Sequence, residues 1–351
     1  NERVTWAIQE ALGVAEVKIP FAVMSKLAST LRKHNFTVCV KGEVQGDSFL
    51  CMEICDPADT VMVGCAIDIG TTTVTMVFAD LESGKLLAKG SSGNGQIRYG
   101  ADVINRIIQQ GRTGGRKKLQ DAIIKDTLVP IMANLCKSAN VDPRSILRLS
   151  LGANTTMNHL FLGVDAEPVR MEPYIPSFFA WEGLLAGDLK LPANPLAPVR
   201  IAPNIGSYVG GDITAGTLAA GIWDKDEMSL FIDLGTNGEL VFGNRDFLMS
   251  CACSAGPAFE GGDISCGMRA TDGAVEAVTI DKESMDPEVS IIGDPGQKVV
   301  GICGSGIIDL ISELYRCGII NAKGLFVREG RRIRRDQHDM GRYVIAFEDE
   351  S

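Results

Sequence analysis

The peptide Ile67-Asp68-Ile69-Gly70-Thr71 returns as Ile232-Asp233-Leu234-Gly235-Thr236, 165 positions later. Each copy offers the same chemistry. Glycine at a bend exposes backbone N–H groups with no side chain in the way. The threonine hydroxyls add donors. The aspartate stands where a divalent cation bridging phosphates needs a carboxylate. Two such turns facing each other would clamp a nucleoside triphosphate from both sides. A plain hairpin also places Asp and Gly at its turn, but the repeat and its matched surroundings favour the phosphate reading. Asp68 and Asp233 are therefore the candidates for metal or water positioning. Gly70, Thr71, Thr72, Thr73, Gly235, Thr236, Asn237 and Gly238 are the candidates for phosphate contacts.

Elements that must hold these turns flank both copies. An apolar run over 61–66 and the segment Val74-Thr75-Met76-Val77-Phe78 read as strands around the first turn; Leu230-Phe231 and Glu239-Leu240-Val241-Phe242 do the same around the second. A third strand is expected over 86–89, so three consecutive antiparallel strands open the first domain. Helices are expected over 100–108 and 119–137, a strand over 146–151, and a turn at Gly152-Ala153-Asn154-Thr155-Thr156 leading into another helix. Seven prolines between Glu167 and Gly206 predict an irregular surface excursion. Gly210, Gly211 and Asp212 open a small-residue helix whose N–H groups could face an anion; an acidic residue is also a routine helix start. The glycine-rich run Gly301 to Gly306, with Gly304 and Ser305, precedes an apolar helix over 307–314. It suits either a nucleotide contact or close helix–strand packing.

Residues 1–60 read as a small α+β domain. Pro20 opens a helix with Phe21, Met24, Leu27, Ala28 and Leu31 on one face, followed by strands over 36–40 and 48–54. A first domain built around the first turn is expected over 61–228 and a second of similar plan over 229–351. The basic stretch 328–335 is expected to be solvated surface, with an apolar strand over 343–347.

Composition narrows the class. The chain has 351 residues, a net charge of −10 and a pI of about 5.0, which argues against a general nucleic-acid or anionic-membrane binder. No apolar run is long enough to span a bilayer. The start Asn1-Glu2-Arg3-Val4 resembles neither a signal peptide nor a natural start, so a fragment is expected. Ten cysteines without tandem Cys-x-x-Cys pairs suggest reduced thiols in a cytoplasmic protein. His159 reads as a packed helix residue. P-loop and nucleophile-elbow motifs are absent.

The order of these parts resembles the superfamily of acetate and sugar kinases, heat-shock ATPases and actin. Five strings together resemble the reductive activators of corrinoid proteins: Ala66 to Thr73, Gly152 to Met157, Asp233 to Glu239, Ser254 to Gly261, and Gly301 to Asp309. The resemblance implies two actin-like domains of ribonuclease-H-like plan behind the small α+β domain. It implies ATP and Mg²⁺ as ligands, a corrinoid (cobalamin-binding) protein and a low-potential electron donor as partners, and ATP-coupled return of Co(II) to Co(I) in methyl transfer or O-demethylation. A homodimer is left open. The family's [2Fe–2S] domain, with Cys-x4-Cys-x2-Cys, has no match here, so this chain alone is not expected to deliver the electron. The family's later Ala-Gly-Gly-Phe-type adenosine loop is also missing, and the second domain is expected to be incomplete. The loop around Ser254 and Gly256 is small and polar enough to approach a partner's corrinoid, although an internal turn fits it as well. A small-molecule kinase and a nucleotide-binding filament protein are the competing readings.

Overall fold

The computed structural model describes residues 1–235, 237–253, 264–268, 270–293, 296, 298–337 and 340–347. It divides into two units. The first is Asn1–Ser229 with Gly243–Leu248, and the second is Leu230–Phe242 with Met249–Ser351.

The first unit begins with α1 (Glu2–Leu12), β1 (Glu16–Lys18), α2 (Phe21–Lys33), β2 (Cys39–Gln45) and β3 (Ser48–Cys55). These form a three-stranded sheet ordered β1-β3-β2 with a small core of Ile8, Val14, Val23, Phe49 and Cys51. Pro20 does start α2, but Val23 and Leu27 are its buried residues while Phe21 is 86% exposed. Of the expected face Leu27 is buried and Met24 and Leu31 are half-buried, while Phe21 and Ala28 are exposed and Val23 is buried instead. The strand expected from Phe36 starts only at Cys39, because Asn35 and Phe36 both take positive φ and turn the chain there. Lys41, almost fully buried, fixes the way out of this layer by donating to Asp59 Oδ1 (2.7 Å) and Val61 O (2.9 Å).

Next come β4 (Val63–Ile69), β5 (Thr73–Asp80), β6 (Leu86–Gly93), α3 (Val103–Gln110), α4 (Gly115–Ile123), α5 (Val129–Ala139), β7 (Ile146–Ala153), α6 (Thr155–Leu162), α7 (Glu167–Arg170), β8 (Val199–Ile201) and α8 (Gly211–Ala220). The five strands form one sheet ordered β6-β5-β4-β7-β8, antiparallel across β6-β5-β4 and parallel across β4-β7-β8. That is the ribonuclease-H-like plan. Alternation makes it work: Val63, Cys65, Ile67 and Ile69 of β4 are buried, while Ala66 and Asp68 face the other way and are exposed. The buried face packs with Phe78, Leu149, Leu151, Met132 and Phe161 in one continuous core. Helices α4 and α5 are joined by a π-type widening over Ile124–Leu128, giving the single long helix the sequence implied. The proline-rich stretch is largely irregular, as expected, and carries a cis Glu172–Pro173 bond, but it is not a surface excursion throughout: Ala186, Leu189, Leu191, Ala197 and Val199 are buried in the core of the five-stranded sheet.

The second unit contains β9 (Ser229–Leu234), β10 (Gly238–Gly243), β11 (Leu248–Cys253), β12 (Ala274–Ile280), β13 (Pro287–Ile291), β14 (Gly301–Ile302), α9 (Gly304–Arg316), β15 (Ile333–Arg335) and β16 (Gly341–Tyr343). One sheet is ordered β11-β10-β9. Another is ordered β13-β12-β14 and carries α9 over a core of Val275, Val278, Ile307, Leu314 and Ile319. The terminal strand expected over 343–347 is only Gly341–Tyr343 here. Beyond it, Val344 N donates to Arg332 O (2.7 Å), and Phe347 lies under the guanidinium groups of Arg331, Arg332 and Arg334. Arg332 is buried and bonds Asp286 Oδ1 at 2.8 Å, so the basic stretch is not uniformly solvated. Among the described residues, no helix is long and apolar enough to cross a membrane.

Candidate functional site

Three backbone segments of the first unit meet at one place. The first is the turn from β4 to β5. Asp68 is exposed at the end of β4 and pairs in register with Thr75 on one side and Gly152 on the other. A Cβ on Gly70 would fall 2.6 Å from Thr73 O, so the bend admits only glycine. Thr71 is nearly buried, Thr72 is half-buried and Thr73 is exposed.

The second segment is the turn from β7 to α6. Asn154 caps α6 by accepting from Met157 N (2.9 Å), and its Nδ2 donates to Thr71 Oγ1 (3.1 Å). One side chain therefore ties a helix start to the first turn. Thr155 and Asn158 fix this segment in turn: Thr155 Oγ1 donates to Gly206 O, and Asn158 Nδ2 donates to Ala153 O (3.1 Å) and Asn204 Oδ1 (2.7 Å). His159 is fully buried and stacks on Phe178 at 4.5 Å. Its Nε2 accepts from Ser177 N (3.1 Å) and its Nδ1 lies 2.7 Å from Thr155 O, which assigns the proton to Nδ1. Burial pushes its pKa below the ordinary 6.5, against smaller opposing effects from Thr155 O and Asp165. It is the packed residue the sequence suggested.

The third segment is the start of α8. A Cβ on Gly210 would lie 2.4 Å from Asn154 Cα, and one on Gly211 would lie 2.3 Å from Ala202 O. Both glycines are demanded by close approach. Asp212 follows in the first turn of the helix. A Cβ on Gly152 would meet Asp212 Cα at 3.7 Å, so Asp68 and Asp212 flank the same glycine. The structure brings together Asp68, Gly70, Thr71, Thr72, Thr73, Gly211 and Asp212. The sequence did not single out Asn154 or Gly152 individually; their only signal was their place in the Gly-Ala-Asn-Thr-Thr string.

In the second unit, Asp233 lies on β9, half-buried, and Gly235 N donates to Asn237 O (2.9 Å) to close the turn. Gly238 begins β10, and its carbonyl accepts from Cys253 Sγ at 3.1 Å. Thr236, Ser254 and Gly256 lie outside the described residues. Gly304 and Ser305 open α9, with Ser305 Oγ 3.2 Å from Cys303 Sγ. Glycines nearby serve packing: a Cβ on Gly306 would sit 2.3 Å from Val275 O, and one on Gly301 2.5 Å from Cys266 O. The Asp233 turn and the Gly304 helix start belong to different sheets of this unit.

The arrangement in the first unit suits a nucleotide's phosphates: amides at a glycine bend, a helix start that tolerates no side chain, and two carboxylates on one edge. One or two carboxylates together with phosphate oxygens are the usual setting for Mg²⁺. An iron–sulfur cluster has no such fit. Among the described residues no group of three or more His, Cys, Asp or Glu side chains is placed to hold a metal ion, and the thiols of Cys51, Cys65 and Cys136, all buried, are pushed up in pKa chiefly by desolvation.

The chain is similar to known proteins along most of its length. Residues 63–225 match the RACo middle region, and residues 227–351 match the C-terminal domain of RACo, the ASKHA domain. The corrinoid activation enzyme RamQ of Eubacterium limosum is 38% identical over 266 residues, spanning 76% of this chain and 44% of RamQ. The [Co(II) methylated amine-specific corrinoid protein] reductase of Methanosarcina barkeri is 23% identical over 287 residues, spanning 74% of this chain and 52% of the reductase. A solved reductive activator for corrinoid, iron-sulfur protein superposes on 100% of this chain with a TM-score of 0.85 and 40% identity, over 56% of its own length. The chain thus spans about half the length of the relatives it matches.

Proposed function

Because the chain belongs to the reductive activators of corrinoid proteins, we propose that it binds ATP–Mg²⁺ and couples that binding to the return of a partner corrinoid protein from Co(II) to Co(I). The observation that carries the reading is the meeting of the Gly70–Thr73 turn, Asn154 and the Gly210–Asp212 helix start in one place. Three consecutive parts, 1–60, 61–228 and 229–351, divide the work: a small α+β layer and two actin-like domains.

In this reading Thr71, Thr72 and Thr73 hold phosphate oxygens from one turn, and Thr236, Asn237 and Gly238 hold them from the other. Asp68 and Asp233 orient Mg²⁺ or its waters. Gly211 and Asp212 begin one helix and Gly304 and Ser305 another, and each helix start offers backbone amides to an anion. Ser254 and Gly256 contact the corrinoid of the partner. The protein works in the cytoplasm, with a low-potential electron donor; the family's [2Fe–2S] group has no ligands among the described residues of this chain.

The energetic task is an uphill one-electron step, where each ~59 mV costs a factor of ten in equilibrium. Nucleotide helps only through different affinities for two states of the activator–partner complex. Moving such an equilibrium from 1:99 to 99:1 needs a differential affinity of about 10⁴. Two nucleotide-dependent states of the activator would supply that difference.

The test is anaerobic spectroscopy of a Co(II) corrinoid protein mixed with this chain, ATP–Mg²⁺ and a low-potential chemical reductant. Growth of the Co(I) spectrum that requires both the chain and ATP supports the proposal. Reduction that proceeds equally without the chain, or a Co(II) spectrum that stays unchanged, defeats it.

A further inference from the structure

Behind the first turn lies a support that the repeated motif does not contain. Three successive carbonyls are held from one side. Asn94 Nδ2 donates to Gly70 O (2.9 Å), Arg106 Nη2 donates to Thr71 O (2.6 Å), and Asn94 N donates to Thr72 O (2.8 Å). In a trans peptide the C=O and the following N–H point to opposite sides. Fixing these carbonyls inward therefore turns the N–H groups of Thr71, Thr72 and Thr73 outward. Among the described residues, no backbone acceptor is recorded for the N–H of Thr71 or Thr72.

The support is itself braced. Asn94 Oδ1 accepts from Gln96 N (2.9 Å), and Gly95 N donates to Thr127 Oγ1 (3.0 Å). Thr127 lies in the π-type widening of the long helix and returns a bond to Ala122 O (2.8 Å). Such widenings recur at functional sites. A Cβ on Gly95 would come 2.8 Å from Ala122 O, so this helix and the turn are fitted to each other.

Arg106 is the unusual member. It lies on α3, is 0% exposed, and spends its donors on Thr71 O, Gly100 O (2.9 Å), Gln96 Oε1 (3.5 Å) and Met157 Sδ (3.4 Å). Among the described residues, no carboxylate is within ion-pair distance of it. Desolvation lowers its pKa to about 10, which still leaves it charged at neutral pH. The Asp102 carboxylate at the start of α3 offsets part of that desolvation without pairing with the guanidinium, and a buried charge with no paired counter-charge is costly to keep. An anion seated on the outward amides of the turn would be its counter-charge, with the Thr71 peptide between them.

We propose that Arg106, together with Asn94, is the positioning residue that aims the Gly70–Thr73 amides at phosphate and supplies the fixed positive charge beneath them. This rests on the nucleotide reading of the turn. A merely structural Arg106 would fill space and hold α3 in place, with no effect that depends on ligand charge.

The experiment uses the 351-residue chain as wild type, Arg106→Met and Arg106→Lys. Calorimetry measures ATP and inorganic triphosphate, each with Mg²⁺, at several salt concentrations; circular dichroism and thermal unfolding without ligand report folding. Losing one charge-assisted support should weaken both ligands about tenfold or more in Arg106→Met, with a flatter salt dependence. Arg106→Lys keeps the charge but is too short to hold Thr71 O and Gly100 O together, so it should lose only about threefold and keep the wild-type salt slope. A folded Arg106→Met with wild-type affinity and salt slope overturns the proposal while leaving nucleotide binding intact. If Arg106→Met does not fold, Arg106→Lys decides: weaker triphosphate binding supports the proposal and unchanged binding overturns it. Wild type that binds neither ligand overturns the nucleotide reading, and this inference with it.

Discussion

Gly210→Ala should disrupt the site through one methyl group. Its Cβ would lie 2.4 Å from Asn154 Cα, 2.6 Å from Ala153 O and 2.6 Å from Thr155 N. All three are backbone atoms, so no side chain can swing away. Ordinary contact begins near ~3.5 Å, and the start of α8 must therefore retreat by about 1 Å. Overpacking of this kind costs about 1–3 kcal/mol, and three simultaneous backbone clashes point to the upper end. At roughly 2–4 °C per kcal/mol for a unit of this size, the first unit should melt about 6–12 °C lower. The retreat also draws Asp212 from Gly152 and loosens the Asn154–Thr71 bond, so ATP–Mg²⁺ affinity should fall about tenfold or more. Gly206→Ala is the control: nothing lies within 4 Å of its Cβ, and its melting temperature should be close to wild type. Differential scanning calorimetry with and without ATP–Mg²⁺ measures both effects. A Gly210→Ala protein that melts and binds nucleotide like Gly206→Ala would refute the packing argument.

Asp68→Asn and Asp233→Asn keep shape but remove charge; ATP hydrolysis should drop at least about tenfold while melting temperatures move little, and phosphate-release assays beside thermal scans check this. His159 is held neutral in the fold with a pKa below the ordinary 6.5, so the unfolded chain binds the proton more readily. Its contribution is therefore complete above pH ~6.5 and is lost as pH falls from there towards its folded pKa. The drop in melting temperature between pH 7.5 and 5.5 should shrink in His159→Gln. Asp59→Ala leaves the Lys41 ammonium, 1% exposed, with only Val61 O as a recorded partner; it should destabilise by about 3 kcal/mol, while Lys41→Met should cost much less, as urea titrations of the two variants can show. Ser254→Ala should leave basal hydrolysis intact and weaken binding to the Co(II) corrinoid protein or alter its spectrum, as titration followed by visible spectroscopy can show.

The parts of this fold legible in the sequence are those built from short-range pattern. The apolar run over 61–66 and the segment 146–151 marked strands, which the structure places at 63–69 and 146–153 with alternate residues buried, and the paired Asp-x-Gly-Thr turns follow from glycine's role at a bend. A long helix was legible over 119–137 and runs over 115–139 in the structure, but its π-type widening at 124–128 was not legible, because no residue type signals it. The face of α2 was right at Leu27 and in part at Met24 and Leu31 but wrong at Phe21 and Ala28: periodicity gives a stripe but not that Val23 is the residue meeting Phe49 and Cys51. Phe347, which looked like strand, instead packs under three arginines, a long-range contact that no local pattern encodes. At the site, Asp68, Thr71 and Gly211 could be named from motif chemistry. Asn94 and Arg106 could not, since they reach the turn from 24 and 35 residues away. An arginine on the buried side of an apolar stripe, beside Ile107 and Gln110, was the one sign available.

The most direct test of the central claim is isothermal titration of this chain with ATP, in Mg²⁺ and in EDTA, for wild type and Asp68→Asn. The account predicts saturable binding by wild type that weakens sharply in EDTA and in the Asp68→Asn protein. Binding by a folded Asp68→Asn chain that equals wild type in both buffers, or no binding by wild type, would contradict it.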